Sequence, residues 1–189
     1  MFGRILSYTA VMMLACGFWC VAEPSGVWLD VPFVKQAKNG CGAASIAMVM
    51  QFWQRQQGRS PDNASDAREI EKALYSSRAH GIYASDLERY LRAQGFRAFA
   101  FEGTRDDLRQ HLEKGRPLIV ALKLAGQAPL HYVVVVGLDP ENQLILVNDP
   151  AERKLLKREQ ANFEKEWRGA GNWALLAVPQ AERGSSEKR

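Results

Sequence analysis

The chain has 189 residues, of which 47% are hydrophobic and 24% charged, an ordinary composition for a globular protein with one sizeable core. Its formal net charge is +4, but basic residues alternate with acidic ones and form no stripe interleaved with aromatic residues. This pattern argues against a nucleic-acid partner and predicts a solvated, mixed-charge surface.

The first 22 residues have the features of a secretory signal. Arg4 supplies a positive charge, residues 5–19 are uncharged and largely apolar, and Cys20-Val21-Ala22 places small residues where a signal peptidase reads. The apolar stretch is short for a membrane span, which needs about 20 residues. We therefore predict cleavage after Ala22 and a periplasmic or secreted protein. Two alternatives stay open: a lipid on Cys16 that tethers the protein to a membrane, and an uncleaved anchor.

The cysteines of the chain are Cys16, Cys20 and Cys41. Cleavage after Ala22 leaves Cys41 alone, so the mature protein has no partner for an internal disulfide. A leftover thiol is a liability in an oxidising compartment unless it is buried or used. This arithmetic makes Cys41 a candidate functional residue before any motif is considered.

Residues 23–179 are predicted to form one α+β domain, and residues 180–189 a polar, disordered tail. The order of helices first and a mostly antiparallel sheet second is typical of that class. The first predicted elements are an extended edge segment at 27–34, a buried helix from Cys41 to about Gln57, a helix opened by Asp66 and a helix opened by Ser85 that ends at Gly95. A strand at 96–101 and a short helix capped by Thr104 follow. The last elements are strands at 118–124, 131–138 and 144–148 with a turn at 139–142, a short helix at 160–167 and a strand at 173–178.

Cys41 lies at the predicted start of the buried helix, directly after the Asn39-Gly40 turn. Free amide groups and the helix dipole at that position favour the thiolate, which is the nucleophilic form of cysteine. Glycines on both sides allow a substrate backbone to approach. Gln36, five residues earlier, carries an amide donor that can help bind the oxyanion of a tetrahedral intermediate.

His131 opens a predicted strand, and Asp149 ends the strand that follows it. The turn at 139–142 makes the two strands a hairpin whose centre pairs position 131 with about 149 or 150. His131 and Asp149, or alternatively Asn148, are therefore expected near the cross-strand contact distance of ~5 Å. A carboxylate or amide beside an imidazole orients the ring for work with a nearby nucleophile.

The other histidines, His80 and His111, have no carboxylate predicted in register with them. The sequence contains no HExxH motif, no paired CxxC motif and no phosphate-binding glycine loop. We therefore expect neither a metal nor a cofactor.

The sequence resembles the peptidase C39 family of papain-like cysteine peptidases, best known for cutting leader peptides after a double glycine. The likeness extends from about Val27 to Val178 and includes the segment 81–95. The matching elements, in order, are Gln36, Cys41-Gly42-Ala43-Ala44-Ser45, His131-Tyr132-Val133-Val134-Val135 and Asn148-Asp149-Pro150. In this chain Asn39-Gly40 precedes the cysteine, where the family often has an acidic residue.

The resemblance implies a papain-like fold in which a helix carrying Cys41 packs on a sheet carrying His131 and Asp149. It further implies that Cys41 is the nucleophile, that His131 is the general base and then the acid, that Asp149 orients His131, and that Gln36 lies in the oxyanion hole. The expected protein is a monomeric, exported thiol peptidase acting on a peptide or protein, for instance a leader or secreted peptide. The alternatives are a papain-like amidase or acyl-transfer enzyme acting on cell-wall peptides, and a non-catalytic peptide-binding module.

Overall fold

The computed structural model describes residues 26–125 and 130–180. The predicted signal at 1–22, with Cys16 and Cys20, lies outside these residues, as does the predicted tail apart from Gln180. Within the described ranges, no helix is long and apolar enough to cross a membrane.

In the described residues, five α-helices and seven β-strands follow one another much as the sequence patterns predict. The helices are α1 (Cys41–Gln56), α2 (Ala67–Leu74), α3 (Ala84–Ala93), α4 (Arg105–Glu113) and α5 (Gln160–Gly169). The strands are β1 (Val27–Trp28), β2 (Phe96–Glu102), β3 (Leu118–Leu122), β4 (His131–Asp139), β5 (Leu144–Asn148), β6 (Leu156–Glu159) and β7 (Trp173–Pro179).

All the strand pairs of the sheet are antiparallel. The strand order is β2-β7-β3-β4-β5-β6, and β1 continues the edge of β4 beyond the last residue that pairs with β3. The α+β fold with the cysteine-bearing helix against a mostly antiparallel sheet is therefore confirmed. Strand β4, which starts with His131, lies at the centre of this sheet.

Helices cover both faces of the sheet and give the molecule two apolar layers. On one face, α1 packs with Ile70 of α2 and Leu91 of α3 against Val134 and Val136 of β4. On the other face, α4 and α5 pack against the alternate β4 residues, Val133 and Val135. Burial on both faces explains why β4 reads as a continuous apolar run rather than an alternating one. The central strand is thus fixed from both sides, and His131 stands at its end.

Gly137 allows β1 to lie against the β4–β5 hairpin. A Cβ added at this position would come within 2.7 Å of the Val27 carbonyl oxygen, 2.8 Å of Leu146 and 2.8 Å of Trp28. The β4–β5 ladder also shifts its register by one residue between Val135 and Gly137. Glycine suits this point because a bulged strand brings neighbouring backbones unusually close.

Two details of the sequence prediction are wrong. Helix α3 begins at Ala84 with Tyr83 as its N-cap, so Ser85 lies inside the helix and does not cap it. Strand β6 was not predicted, because its residues, Leu-Lys-Arg-Glu, carry only one apolar side chain. Its strand conformation comes from pairing with β5 at the sheet edge. By contrast, Asp66 and Thr104 cap α2 and α4 with their side chains as predicted.

Candidate active site

Cys41 is the first residue of α1 and is half-buried, whereas the residues that follow it are buried. Asn39 adopts a positive φ of 61°, and the Gly40 N–H donates to the Ala37 carbonyl oxygen at 3.1 Å, which closes a tight turn. No side chain caps the helix through a hydrogen bond at Gly40. The thiol is therefore presented at an open helix N-terminus, where backbone amide groups and the helix dipole favour negative charge.

His131 and Asp149 form a buried pair. The Nε2 atom of His131 lies 2.7 Å from Oδ1 of Asp149, and only 12% of the His131 side chain and 3% of the Asp149 side chain are exposed. The same carboxylate oxygen accepts a hydrogen bond from the Ala151 N–H at 3.0 Å. A carboxylate with this little solvent needs such partners to remain ionised. Because Nε2 faces Asp149, Nδ1 is the ring nitrogen left for a second partner.

The electrostatics of the pair favour an imidazolium beside a carboxylate. Burial lowers the pKa of His131, but hydrogen bonds to Asp149 and Cys41 and the charges of both groups outweigh burial and raise it to about 9. Burial raises the pKa of Asp149, but the hydrogen bond and charge of His131, the Ala151 N–H and the charge of Arg158 bring it below its ordinary value. At neutral pH, His131 is thus protonated and Asp149 is ionised.

Asn148 holds the strand end that presents Asp149. It is fully buried, its Nδ2 donates to the Val31 carbonyl oxygen at 3.1 Å, and its Oδ1 accepts from the Leu155 N–H at 3.0 Å. These bonds attach the N-terminal arm and the start of β6 to the end of β5. Asn148 therefore has a structural role, and the acceptor for His131 is Asp149 rather than the alternative, Asn148.

Gln36 reaches the site through a backbone contact with the Asp149 turn. Its N–H donates to the Pro150 carbonyl oxygen at 3.0 Å. The Oε1 atom of Gln36 is buried without a hydrogen-bond partner among the described residues, and Nε2 is not among the buried atoms of that kind. The side chain lines the same cleft as Cys41 and His131. The structure thus places the Gln36 amide on the same cleft as the thiol, which the predicted oxyanion role requires.

The cleft has a volume of about 450 Å³ and two walls. One wall is the segment 79–84, closed into a loop by the Ser76–Gly81 bridge, and the other is formed by Leu130 and Tyr132 beside His131. Tyr83 and Leu130 are two of the large apolar residues that remain exposed, with 44% and 38% of their surface accessible. This combination suits a peptide whose apolar side chains contact both walls.

Two residues of the cleft, Tyr132 and His80, were given no site role from the sequence. Burial, followed by the charges of Cys41 and Asp86, raises the pKa of Tyr132, so its phenol stays neutral beside the thiol. His80, set aside for lack of a carboxylate partner, lines the cleft with a positive φ of 49°. A non-glycine residue with positive φ is uncommon and tends to occur at functional sites, a signal that only the backbone provides.

The predicted hairpin geometry is correct in outline. The ladder pairs Val134 with Asn148 and ends there; extended to position 131, its register points to residue 151, one or two residues beyond the predicted 149 or 150. His131 itself pairs with Leu122 of β3, and its ring crosses beyond the end of the β4–β5 ladder to reach Asp149. The structure thus brings Gln36, Cys41 and His131 together around one cleft, with Asp149 buried against His131. It places His111 apart from them on α4.

The model of the Peptidase_C39 like family matches residues 28–175 of the chain. The chain belongs to this family. Family membership and the papain-like fold together identify a C39-like cysteine peptidase. No curated protein matches it in sequence.

Solved structures share the fold of this C39-like peptidase. A C39-like peptidase from Bacillus anthracis has a TM-score of 0.63 and 18% identity, covering 84% of this chain and 100% of its own. A double glycine motif protease from an AMS/PCAT transporter, in complex with its leader peptide, has a TM-score of 0.61 and 22% identity, covering 84% and 100%. Xylellain, a cysteine protease from Xylella fastidiosa, has a TM-score of 0.54 and 16% identity, covering 84% and 87%.

The Asp149→Asn substitution is expected to lower the pKa of His131 from about 9. The variant loses the charge that stabilises the imidazolium, so we expect a decrease of about 1 to 3. Because the pKa of His131 is raised in the folded state, protonation of His131 stabilises the fold. This contribution is full below the unfolded value of about 6.5 while Asp149 stays ionised, and it is lost as the pH rises through about 9. NMR titration of the His131 ring protons measures the pKa of His131 in the parent protein and in the variant.

His111 provides the internal control for that titration. Burial, Arg116 and Lys114 lower its pKa, so its signal titrates well before that of His131. The Asp149→Asn substitution should leave the His111 titration unchanged. An unchanged His131 titration in the variant would show that Asp149 does not hold the imidazolium.

Proposed function

We propose that this C39-like peptidase hydrolyses peptide bonds through a thioester formed on Cys41. The observation that carries the proposal is the arrangement of a half-buried thiol at a helix N-terminus beside an imidazolium held by a buried carboxylate. Such a thiolate–imidazolium pair supplies both the nucleophile and the acid that cleavage of an amide requires.

The proposed reaction has two halves. The Cys41 thiolate attacks the scissile carbonyl carbon while the Cys41 N–H and the Gln36 amide bind the oxyanion. The carbon–nitrogen bond breaks as His131 gives its proton to the leaving amine, and a thioester remains. His131, now neutral, takes a proton from water. The resulting hydroxide adds to the thioester, the carbon–sulfur bond breaks, and the thiolate–imidazolium pair is restored.

Replacing Cys41 with Ala should abolish turnover and leave the fold intact, because it removes the sulfur that forms the thioester and, among the described residues, no other cysteine is present. The Gln36→Ala substitution removes one oxyanion donor and should lower kcat by about 10²- to 10³-fold with little change in KM. Peptide cleavage is measured together with the circular dichroism spectrum and melting temperature of each variant.

His111→Gln is a matched control for His131→Gln, since His111 lies on α4 outside the cleft. The control should cleave like the parent protein, whereas the His131 variant should be inactive. Full activity of a folded Cys41→Ala variant would refute the thioester mechanism.

We further propose that the substrate is an extended leader or secreted peptide. The exposed apolar walls of the cleft support a peptide chain, and one similar structure, a double glycine motif protease, was solved with its leader peptide. The protein should therefore cleave a peptide with a double-glycine leader and leave a cell-wall muropeptide intact. Mass spectrometry of the products decides between them, and cleavage of the muropeptide alone would establish the amidase alternative instead.

Export of the protein is proposed on the sequence of residues 1–22. A mature N-terminus at Glu23, determined by mass spectrometry of protein isolated from outside the cytoplasm, is the expected result. A lipid-modified Cys16 would establish the tethered alternative, and an intact N-terminus in the cytoplasm would contradict export.

A further inference from the structure

A carboxylate from a neighbouring helix occupies the space beside the Cys41 turn. Gly40 has an ordinary φ of −94°, so its backbone conformation does not require glycine. What glycine provides is room: a Cβ at position 40 would lie 3.2 Å from Oε2 of Glu71 and 3.3 Å from the backbone of Ala37. Glu71, on α2, therefore lies directly against the residue that precedes Cys41.

The Glu71 carboxylate makes no hydrogen bond and no ion pair with any residue in the described parts of the chain, although α2 is otherwise well capped by Asp66. It lines a recess of about 270 Å³ on a second side of the Cys41 turn, and Gln36 and Gly40 also line this recess. Gln36 and the Cys41 turn thus border both the substrate cleft and the recess that holds Glu71.

Two negative groups consequently share one helix N-terminus. The uncapped start of α1 attracts anions; Cys41 is its first residue, and the Glu71 carboxylate lies beside its N-cap residue, Gly40. Like charges at short range raise each other's energy, whereas the same carboxylate stabilises a nearby imidazolium. A charge on Glu71 is therefore placed to act on the thiolate–imidazolium pair through the turn that precedes Cys41.

We propose that Glu71 is a positioning residue whose charge, acting through the Cys41 turn, disfavours the thiolate and favours the imidazolium, and so moves the pH range of activity upward. The proposal rests on the proposed function only in taking Cys41 as the nucleophile. Glu71 touches neither the substrate nor the reacting atoms in this role.

Other charged and titratable groups around the turn define the background on which Glu71 acts. His131 and Asp149 face the thiol from the sheet, and Tyr132 and Asp86 lie on the same side. His80 lines the cleft from the 79–84 loop, Lys35 and Arg68 line the recess, and Lys38 belongs to the turn itself. The three basic side chains partly offset Glu71, which predicts a modest effect.

The test is the pH dependence of Cys41 alkylation by iodoacetamide in the full chain. Cys41 lies in the tryptic peptide 39–55, which contains no other cysteine, so mass spectrometry follows it separately from Cys16 and Cys20. The Glu71→Gln substitution should shift the acid limb of the alkylation-rate profile to lower pH by about 0.3 to 0.5. On that limb, alkylation should therefore be about twofold to threefold faster than in the parent. The shift should shrink in 1 M salt.

Two further variants separate local charge from structural damage. Glu69→Gln makes the same change of net charge on the exposed side of α2 and should leave the profile in place. Glu71→Asp keeps the charge and should restore most of the parent profile. In peptide cleavage, both limbs of the Glu71→Gln profile should move to lower pH, while kcat at its optimum stays within about twofold.

The proposal would be overturned if the Glu71→Gln profile coincided with that of the parent. It would also be overturned if Glu69→Gln shifted the profile by the same amount as Glu71→Gln. Loss of alkylation with the melting temperature lowered in both Glu71 variants would do so as well, because it would show a structural role. Since alkylation needs no peptide turnover, these outcomes are distinguishable from a failure of the proposed peptidase activity.

Discussion

The active-site region depends on the burial of one carboxylate. Asp149 is 2% exposed, and a charge so far removed from water is tolerated only when hydrogen-bond donors and a positive charge surround it. His131 provides the charge, and the Ala151 N–H provides a donor. Meeting this requirement fixes the orientation of the imidazole, and it leaves the other ring nitrogen free for the thiol.

The burial of Asp149 also constrains residues beyond the His131–Asp149 pair. The turn after β5 must hold Asp149 in place, so Asn148 is buried and bonded to the N-terminal arm and to Leu155. The next residue of that turn, Pro150, accepts the backbone bond that places Gln36. A single hydrogen-bonded region at the end of β5 therefore connects the carboxylate of Asp149 with the backbone of Gln36.

Cys41 lies between a buried helix that fixes its backbone and an open cleft that a substrate can enter, as a nucleophile requires. Helix α1 is buried along most of its length, whereas Cys41 at its first turn is half-buried and borders the cleft. Helices on both faces of the sheet fix β4, so His131 has little freedom to move away from the thiol. The thiol therefore lies between a fixed scaffold and the open cleft, with the His131 imidazole on the cleft side.

The sequence by itself determined the local features: the helix that begins at Cys41, the turn at 139–142, the strand that starts at His131 and the cap at Thr104. Each depends on side-chain periodicity or turn chemistry within a few residues, which the sequence displays directly. Only the tertiary structure decided the edge strand β6, the register shift next to Gly137, the choice of Asp149 over Asn148 and the position of Glu71 beside Gly40. These features arise from contacts between segments distant in the chain, and no local pattern records which distant backbone or side chain fills a given space.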